Sequence, residues 1–232
     1  MADATDPIRN MPSASGEPHG GSKTSRAQWV YESLRNGIQL GRYGRGERIR
    51  EEEIARALGV SRTPVREAIS RLQARGLLEM APGGLVVATL SRPQTIELYA
   101  MREILEGSAA RFAAQHASPS EIATLHRLAQ AFERAAGDAD RQAHYNREFH
   151  GAIYEAAHNR YLMRTLDEVH DAMALLPSTT FTVSGRPERA VAEHAAIVAA
   201  IEARDADRAE HAARSHIQMA QEARLGMMFD IG

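Results

Sequence analysis

Asn146 and His150 stand four residues apart, and His194 and His216 stand eleven residues before and eleven after Asp205. A four-residue spacing puts Asn146 and His150 on one face of a helix, and Phe149 and Ile153 turn that side toward a core. His194 sits among Val191, Ile197, Val198 and Ile201, and His216 among Ala209, Ala212, Ala213, Ile217 and Ala220, so both lie on apolar helix faces. If those two helices fold back on each other near Asp205, each histidine is roughly 16 Å from the turn and the two rings stand side by side. A third helix presenting His150 and Asn146 to the same spot supplies three imidazoles and one amide oxygen. That set suits a divalent transition metal such as zinc, nickel or manganese. The same rings could instead be neutral core histidines bonded to carbonyls or carboxylates. His116, His126, His144, His158, His170 and His211 fit surface or capping roles.

A second group of residues suits phosphate and base edges. In the stretch EEEIARALGVSRTPVREAISRLQARGLL, Glu51 to Leu78, Ile54 and Leu58 share one face of a short helix. Gly59 permits a sharp exit and Val60 plugs the turn. Ser61 is placed as the N-cap of a second helix, and Pro64 is tolerated in its first turn. Val65, Ile69 and Leu72 form the buried stripe and Gly76 ends the helix. Arg62, Thr63, Arg66 and Arg71 are left facing outward, and arginines with a threonine at a helix N-terminus suit the major groove of DNA.

These residues need a scaffold, and the flanking sequence provides one. Leu77, Leu78 and Met80, then Ala81-Pro82-Gly83-Gly84, then Leu85, Val86 and Val87 read as a hairpin, which after a recognition helix is a wing. Upstream, Trp29 or Val30, Leu34 and Ile38 give a helical stripe from about Ser25 to Leu40, followed by a Gly-Arg loop from Gly41 to Arg48.

The block GERIREEEIARALGVSRTPVREAISRLQARGLLE resembles the winged helix of GntR-type bacterial transcription regulators, over about residues 26 to 90. The resemblance implies DNA contacts by Arg50, Arg62, Thr63 and Arg66, a phosphate contact by Ser61, and a wing tip at Gly83 and Gly84.

Charge divides the chain in the same way. Residues 23 to 90 hold 12 Lys+Arg against 7 Asp+Glu, while residues 91 to 232 hold 15 against 20. The formal total of −2 conceals a basic DNA-binding half. The chain has no cysteine, so disulfides and thiolate metal sites are excluded. No apolar run approaches the roughly 18 to 20 residues of a membrane span. Residues 1 to 24 read as a disordered tail without a secretion signal, and a cytoplasmic protein is expected.

From Ser91 the chain divides into about six helical segments, near 92–116, 119–136, 138–158, 159–176, 185–203 and 205–226, with breaks at Pro119, Gly137, Asn159, Pro177 to Gly185 and Asp205. The fold expected is mainly α: an N-terminal winged helix-turn-helix over residues 25–90 and a C-terminal all-α bundle over 91–232.

The segments FHGAIYEAAHNRYL and EHAAIVAAIEARDADRAEHAARSHI resemble the six-helix effector domain of GntR regulators called FCD. By that resemblance Asn146, His150, His194 and His216 hold the metal, and many members have Asp at the first position. The resemblance also implies a small organic acid as effector, held with the help of Arg102 on the first bundle helix. A salt bridge to Glu106, four residues on, is an equal reading of Arg102. The expectation is therefore a homodimeric DNA-binding repressor gated by a carboxylate at a metal-containing pocket. A regulator that senses the ion itself is the alternative. A metal-dependent hydrolase using Glu148 or Glu193 as base is a third reading, although no HExxH arrangement is present.

Overall fold

The computed structural model describes residues 23–176 and 178–228. The expected tail lies outside them, apart from Lys23 and Thr24, which open the first helix. The chain forms two compact units. One extends to Leu90 and takes in His170–Leu176; the other comprises Ser91–Val169 and the residues after 177.

In the first unit, α1 (Lys23–Gln39), α2 (Glu51–Leu58) and α3 (Arg62–Ala74) are followed by β1 (Leu78–Ala81) and β2 (Gly84–Val87). Gly59 (φ 65°) and Gly76 (φ 70°) end α2 and α3 in left-handed geometry. After α3, the Leu77 N–H donates to the Leu72 carbonyl and the Gly76 N–H to that of Gln73, both at 2.9 Å. Leu72 and Leu77 are fully buried in one core, so a Schellman motif fixes the exit of the recognition helix. Ser61 occupies the N-cap of α3 by its backbone angles, but its side chain makes no capping hydrogen bond.

The strands pair antiparallel with Leu78 opposite Val87 and Ala81 opposite Gly84, leaving Pro82-Gly83 as a two-residue turn. The segment expected as a loop does more than connect. Arg48 bridges Val86, the Ile49 N–H donates to Leu85, and the Val87 N–H donates to Glu47. Residues 46–49 thus cover one edge of the wing.

The second unit holds α4 (Arg92–His116), α5 (Pro119–Arg134), α6 (Ala139–Ala156), the start of α7 (Arg160–Met173), a 3₁₀ turn at Thr180–Thr182, α8 (Arg186–Glu202) and α9 (Ala206–Met228). The helix starts follow sequence chemistry. Ser91 with Gln94, and Ser118 with Glu121, form capping boxes ahead of Pro93 and Pro119. Asp138 caps α6, and the Asn159 side chain accepts the Tyr161 and Leu162 N–H groups at the head of α7.

Helix α7 ends earlier than the expected 176, because the N–H groups of Ala174, Leu175 and Leu176 turn to carbonyls three residues back. Fully buried Ala109, Ala110, Ala113 and Ala114 give α4 a flat face for close packing on α9, which answers with Ala209 and Ala213. At Gly107 the approach is closest: a Cβ there would stand 2.6 Å from the Arg214 Cγ. Leu125, Phe149, Ile153, Leu166, Ile197 and Ile201 fill the core, each stabilising by about 1.5–3 kcal/mol.

Candidate metal centre and nucleic-acid interface

Helices α8 and α9 form the expected hairpin, turning through Arg204 (φ 58°), with the Asp205 N–H donating to the Ala200 carbonyl. His194 and His216 consequently stand with ring centroids 4.9 Å apart. His150 on α6 joins them, its ring centroid 5.0 Å from that of His216 and 5.8 Å from that of His194. All three are buried, and each can offer one nitrogen to a cluster no wider than 4.8 Å.

The outer nitrogens of two rings are committed to carboxylates. His216 Nδ1 lies 2.6 Å from Glu193 Oε2, and His150 Nδ1 lies 2.6 Å from Glu106 Oε2. A carboxylate at Nδ1 holds the proton there and leaves the Nε2 lone pair facing inward. Yet the two Nε2 atoms are only 3.1 Å apart. Two inward lone pairs at that distance repel unless a proton or a cation lies against them. With both Nδ1 protons in place, a proton shared between the two Nε2 atoms makes one ring an imidazolium, and His216 resists that charge, since burial and then the neighbouring His150 and Arg186 hold it well below the usual histidine range.

His194 is the most exposing feature of the chemistry, although it is wholly buried. Neither of its ring nitrogens has a hydrogen-bond partner. Phe149 stacks on it at 4.3 Å and Phe132 meets it edge-on at 4.8 Å. Burial, followed by His216 and His150, pushes it well below the usual range, so it is a neutral donor. One turn before His150, the Asn146 Oδ1 is also buried without a partner. Unpartnered buried polar atoms are rare, and these belong to the residues a metal would take. The residues present therefore fit a divalent ion, with three imidazole nitrogens and one amide oxygen.

The carboxylates belong to larger pairs. Glu106 joins His150 to Arg102, whose Nε donates to Glu106 Oε1 at 2.8 Å; both side chains are buried. Burial alone would raise the Glu106 carboxyl, but Arg102 and His150 hold it well below the usual carboxylate range. Arg102 also lies over the Tyr99 ring at 5.0 Å. On the other side, buried Arg186 approaches Glu193 at 2.8 Å. Burial raises the Glu193 carboxyl against the opposing pull of Arg186. The sequence reading brought His150, His194 and His216 together and paired Arg102 with Glu106, as the structure has them. It did not identify Glu106 and Glu193 as partners of the histidines, nor Arg186. His116, His126 and His158 stand apart, bonded to the Ala157 carbonyl, Glu202 and Glu121.

The basic face is built on α2 and α3. Ser61, Arg62, Thr63 and Arg66 are exposed at the N-terminal end of α3, and Arg50 is the residue before α2. Glu51 Oε2 receives Arg66 Nε at 2.8 Å and lies 3.4 Å from an Arg62 nitrogen, while Glu52 holds the other Arg62 nitrogen at 3.1 Å. Arg50 pairs with Glu53 at 2.7 Å. These acidic residues hold the arginines in a common array. At the wing, Gly83 (φ 117°) is exposed, and the backbone of Gly84 (φ 129°) leaves room for Arg48, whose guanidinium would lie 3.1 Å from a Cβ. Arg71 does not join this face. It lies over the Tyr31 ring at 4.1 Å and donates to Gln28, so it fastens α3 to α1.

Among the described residues, no helix is long and apolar enough to cross a membrane.

The chain matches two family models: bacterial regulatory proteins of the gntR family over residues 26–87, and the FCD domain over 97–219. The chain is 34% identical over 202 residues to a probable D-xylose utilization operon transcriptional repressor of Paenarthrobacter nicotinovorans, covering 84% of this chain and 87% of that one. It is 28% identical over 201 residues to the transcriptional repressor RspR of Escherichia coli, with coverage of 84% and 87%. In fold it is similar to E. coli McbR/YncC, with a TM-score of 0.75 at 23% identity, covering 88% and 99% of the two chains. Arginines displayed on a winged helix, joined to a helical FCD unit, and this relationship along most of the chain place the protein in the gntR family as a DNA-binding transcriptional regulator.

Proposed function

We propose that the protein is a repressor whose affinity for operator DNA is set by a small carboxylate bound at a divalent metal in the FCD unit. The observation that carries this reading is the buried cluster of His150, His194 and His216, with the His194 nitrogens and Asn146 Oδ1 unpartnered and two carboxylates orienting the other rings. When bound, the ion would act as a Lewis acid that anchors an anionic ligand. Asn146, His150, His194 and His216 hold it; Glu106 and Glu193 keep the His150 and His216 donors turned inward. Arg102, linked to His150 through Glu106, is assigned to the carboxylate of the effector.

Arg50, Ser61, Arg62, Thr63 and Arg66 are assigned to the operator, with Gly83 and Gly84 approaching the duplex from the wing. A homodimer in the cytoplasm would place two such faces on a two-fold related site. The relatives named as repressors support the sign of the regulation. The effector can act only through different affinities for DNA-competent and DNA-incompetent states.

The test is a titration of an operator duplex, selected from a random pool, with metal-loaded and chelator-treated protein across a panel of small carboxylates. A carboxylate that shifts operator affinity only in the loaded protein supports the reading. A shift produced by the metal alone, with no carboxylate effective, would make the ion the signal; no shift under any condition would refute the gating.

A further inference from the structure

Within the winged-helix unit lies a buried acid that comes from far outside the winged-helix sequence. Residues His170–Leu176 pack as part of this unit, about eighty residues after its last strand in sequence. Asp171, at the end of α7, is fully buried and receives three side chains. From α1 come Arg35 Nε at 2.5 Å and Gln39 Nε2 at 3.0 Å. From the residue just after α3 comes Arg75 at 2.6 Å. Leu175, one turn further on, enters the core that contains Leu34, Val65, Ile69 and Leu72.

A buried carboxylate held by two guanidinium groups and an amide resists displacement, because removing either partner strands charge in a low-dielectric site. Here it joins α1 to the end of α3 opposite the exposed reading residues Arg62, Thr63 and Arg66. The geometry acts as a lever. With about 1.5 Å of rise per residue, tilting α3 by about 5° at its C-terminal end moves its N-terminal end by roughly 1.5 Å. Hydrogen bonds to base edges tolerate only about 0.5 Å.

We infer that Asp171 is a positioning residue for operator recognition, fixing the C-terminal end of the recognition helix against α1, so that the DNA-reading unit is assembled from two discontinuous segments of the chain. The inference concerns sequence readout and does not depend on a metal or an effector.

The test uses the full chain with Asp171→Asn, which keeps the shape and removes the charge. Affinity is measured for the duplex that the unaltered protein selects from a random pool and for an unrelated duplex, together with amide exchange in α1 and α3. The expected result is a loss of about five- to one-hundredfold on the selected duplex, the range of one lost base contact, with the unrelated duplex changed less than about twofold. Amide exchange should accelerate around Arg35 and Arg75. Should Asp171→Asn fail to fold, Arg75→Gln removes one donor while leaving the acid paired with Arg35, and the same ratio is read with an intermediate loss expected. An unchanged ratio of selected to unrelated affinity in the folded variant, or an equal fall on both duplexes, would overturn the inference.

Discussion

Replacing Glu106 by Gln probes the chemistry of the metal centre without touching any assigned ligand. The side chain is 3% exposed and spans two groups, Arg102 Nε at 2.8 Å and His150 Nδ1 at 2.6 Å. Glutamine has nearly the same volume, so packing is preserved and the change is one of charge. Two effects follow. Arg102 becomes a buried cation without its carboxylate, and breaking such a pair by removing one partner costs about 3–5 kcal/mol. The burial of Arg102 places the loss in the upper part of what an ion pair can contribute, far above the roughly 0–1 kcal/mol of an exposed pair.

The second effect is on the metal. Loss of a carboxylate behind a ligating imidazole lowers metal affinity by about 10- to 100-fold, equivalent to roughly 1.4–2.7 kcal/mol. The assay is a pair of measurements on chelator-treated protein: chemical unfolding followed by helical signal, and calorimetric titration with zinc. A variant that unfolds about 3 kcal/mol more easily and binds zinc at least tenfold more weakly supports the argument. Undiminished zinc affinity in a folded variant would refute the role given to Glu106.

Other perturbations give distinct outcomes. Arg66→Ala should weaken binding to the selected operator by about 1–3 kcal/mol in a gel-shift titration and leave unfolding within about 0.5 kcal/mol, since the side chain is exposed; equal operator affinity would remove Arg66 from the interface. Glu51→Gln releases Arg62 and Arg66, so affinity for unrelated DNA should rise while the base preference profile from randomised duplexes broadens; an unchanged profile would contradict the array. In metal-free protein, His194 and His216 are held below their unfolded values, so the unfolded chain binds more protons once the pH falls below about 6.5. Stability should be full above about pH 6.5 and decline below it, by up to about 1.4 kcal/mol per pH unit for each ring; a flat unfolding free energy from pH 7.5 to 5.5 would contradict their burial as neutral groups.

The elements of the fold were legible because their signals are local. Gly59 and Gly76 stop helices by their own backbone preference, and Ser91, Ser118, Asp138 and Asn159 cap helices within three residues of themselves. The convergence of His194 and His216 was legible for a related reason: equal distances from one turn fix two positions on a helical hairpin. What escaped depends on contacts between distant segments. Arg102 and Glu106 read as an i, i+4 pair, but the second carboxylate oxygen meets His150 only after α4 and α6 come together. Asp171 is buried by partners from α1 and the end of α3, which stand far from it in sequence. Arg71 is exposed as read, but its contact with Tyr31 escaped because that ring belongs to another helix. Residues 46–49 lacked a strand pattern because they use only a few backbone bonds along the wing edge.

The most direct measurement is the transition-metal content of the full chain, purified without chelator or histidine tag and assayed by elemental mass spectrometry. About one divalent transition metal per chain is expected from the cluster of His150, His194 and His216, with His194→Ala losing it while retaining operator binding. Absence of metal after incubation with zinc, nickel and manganese, or full metal retention in His194→Ala, would contradict the metal-centred account of this regulator.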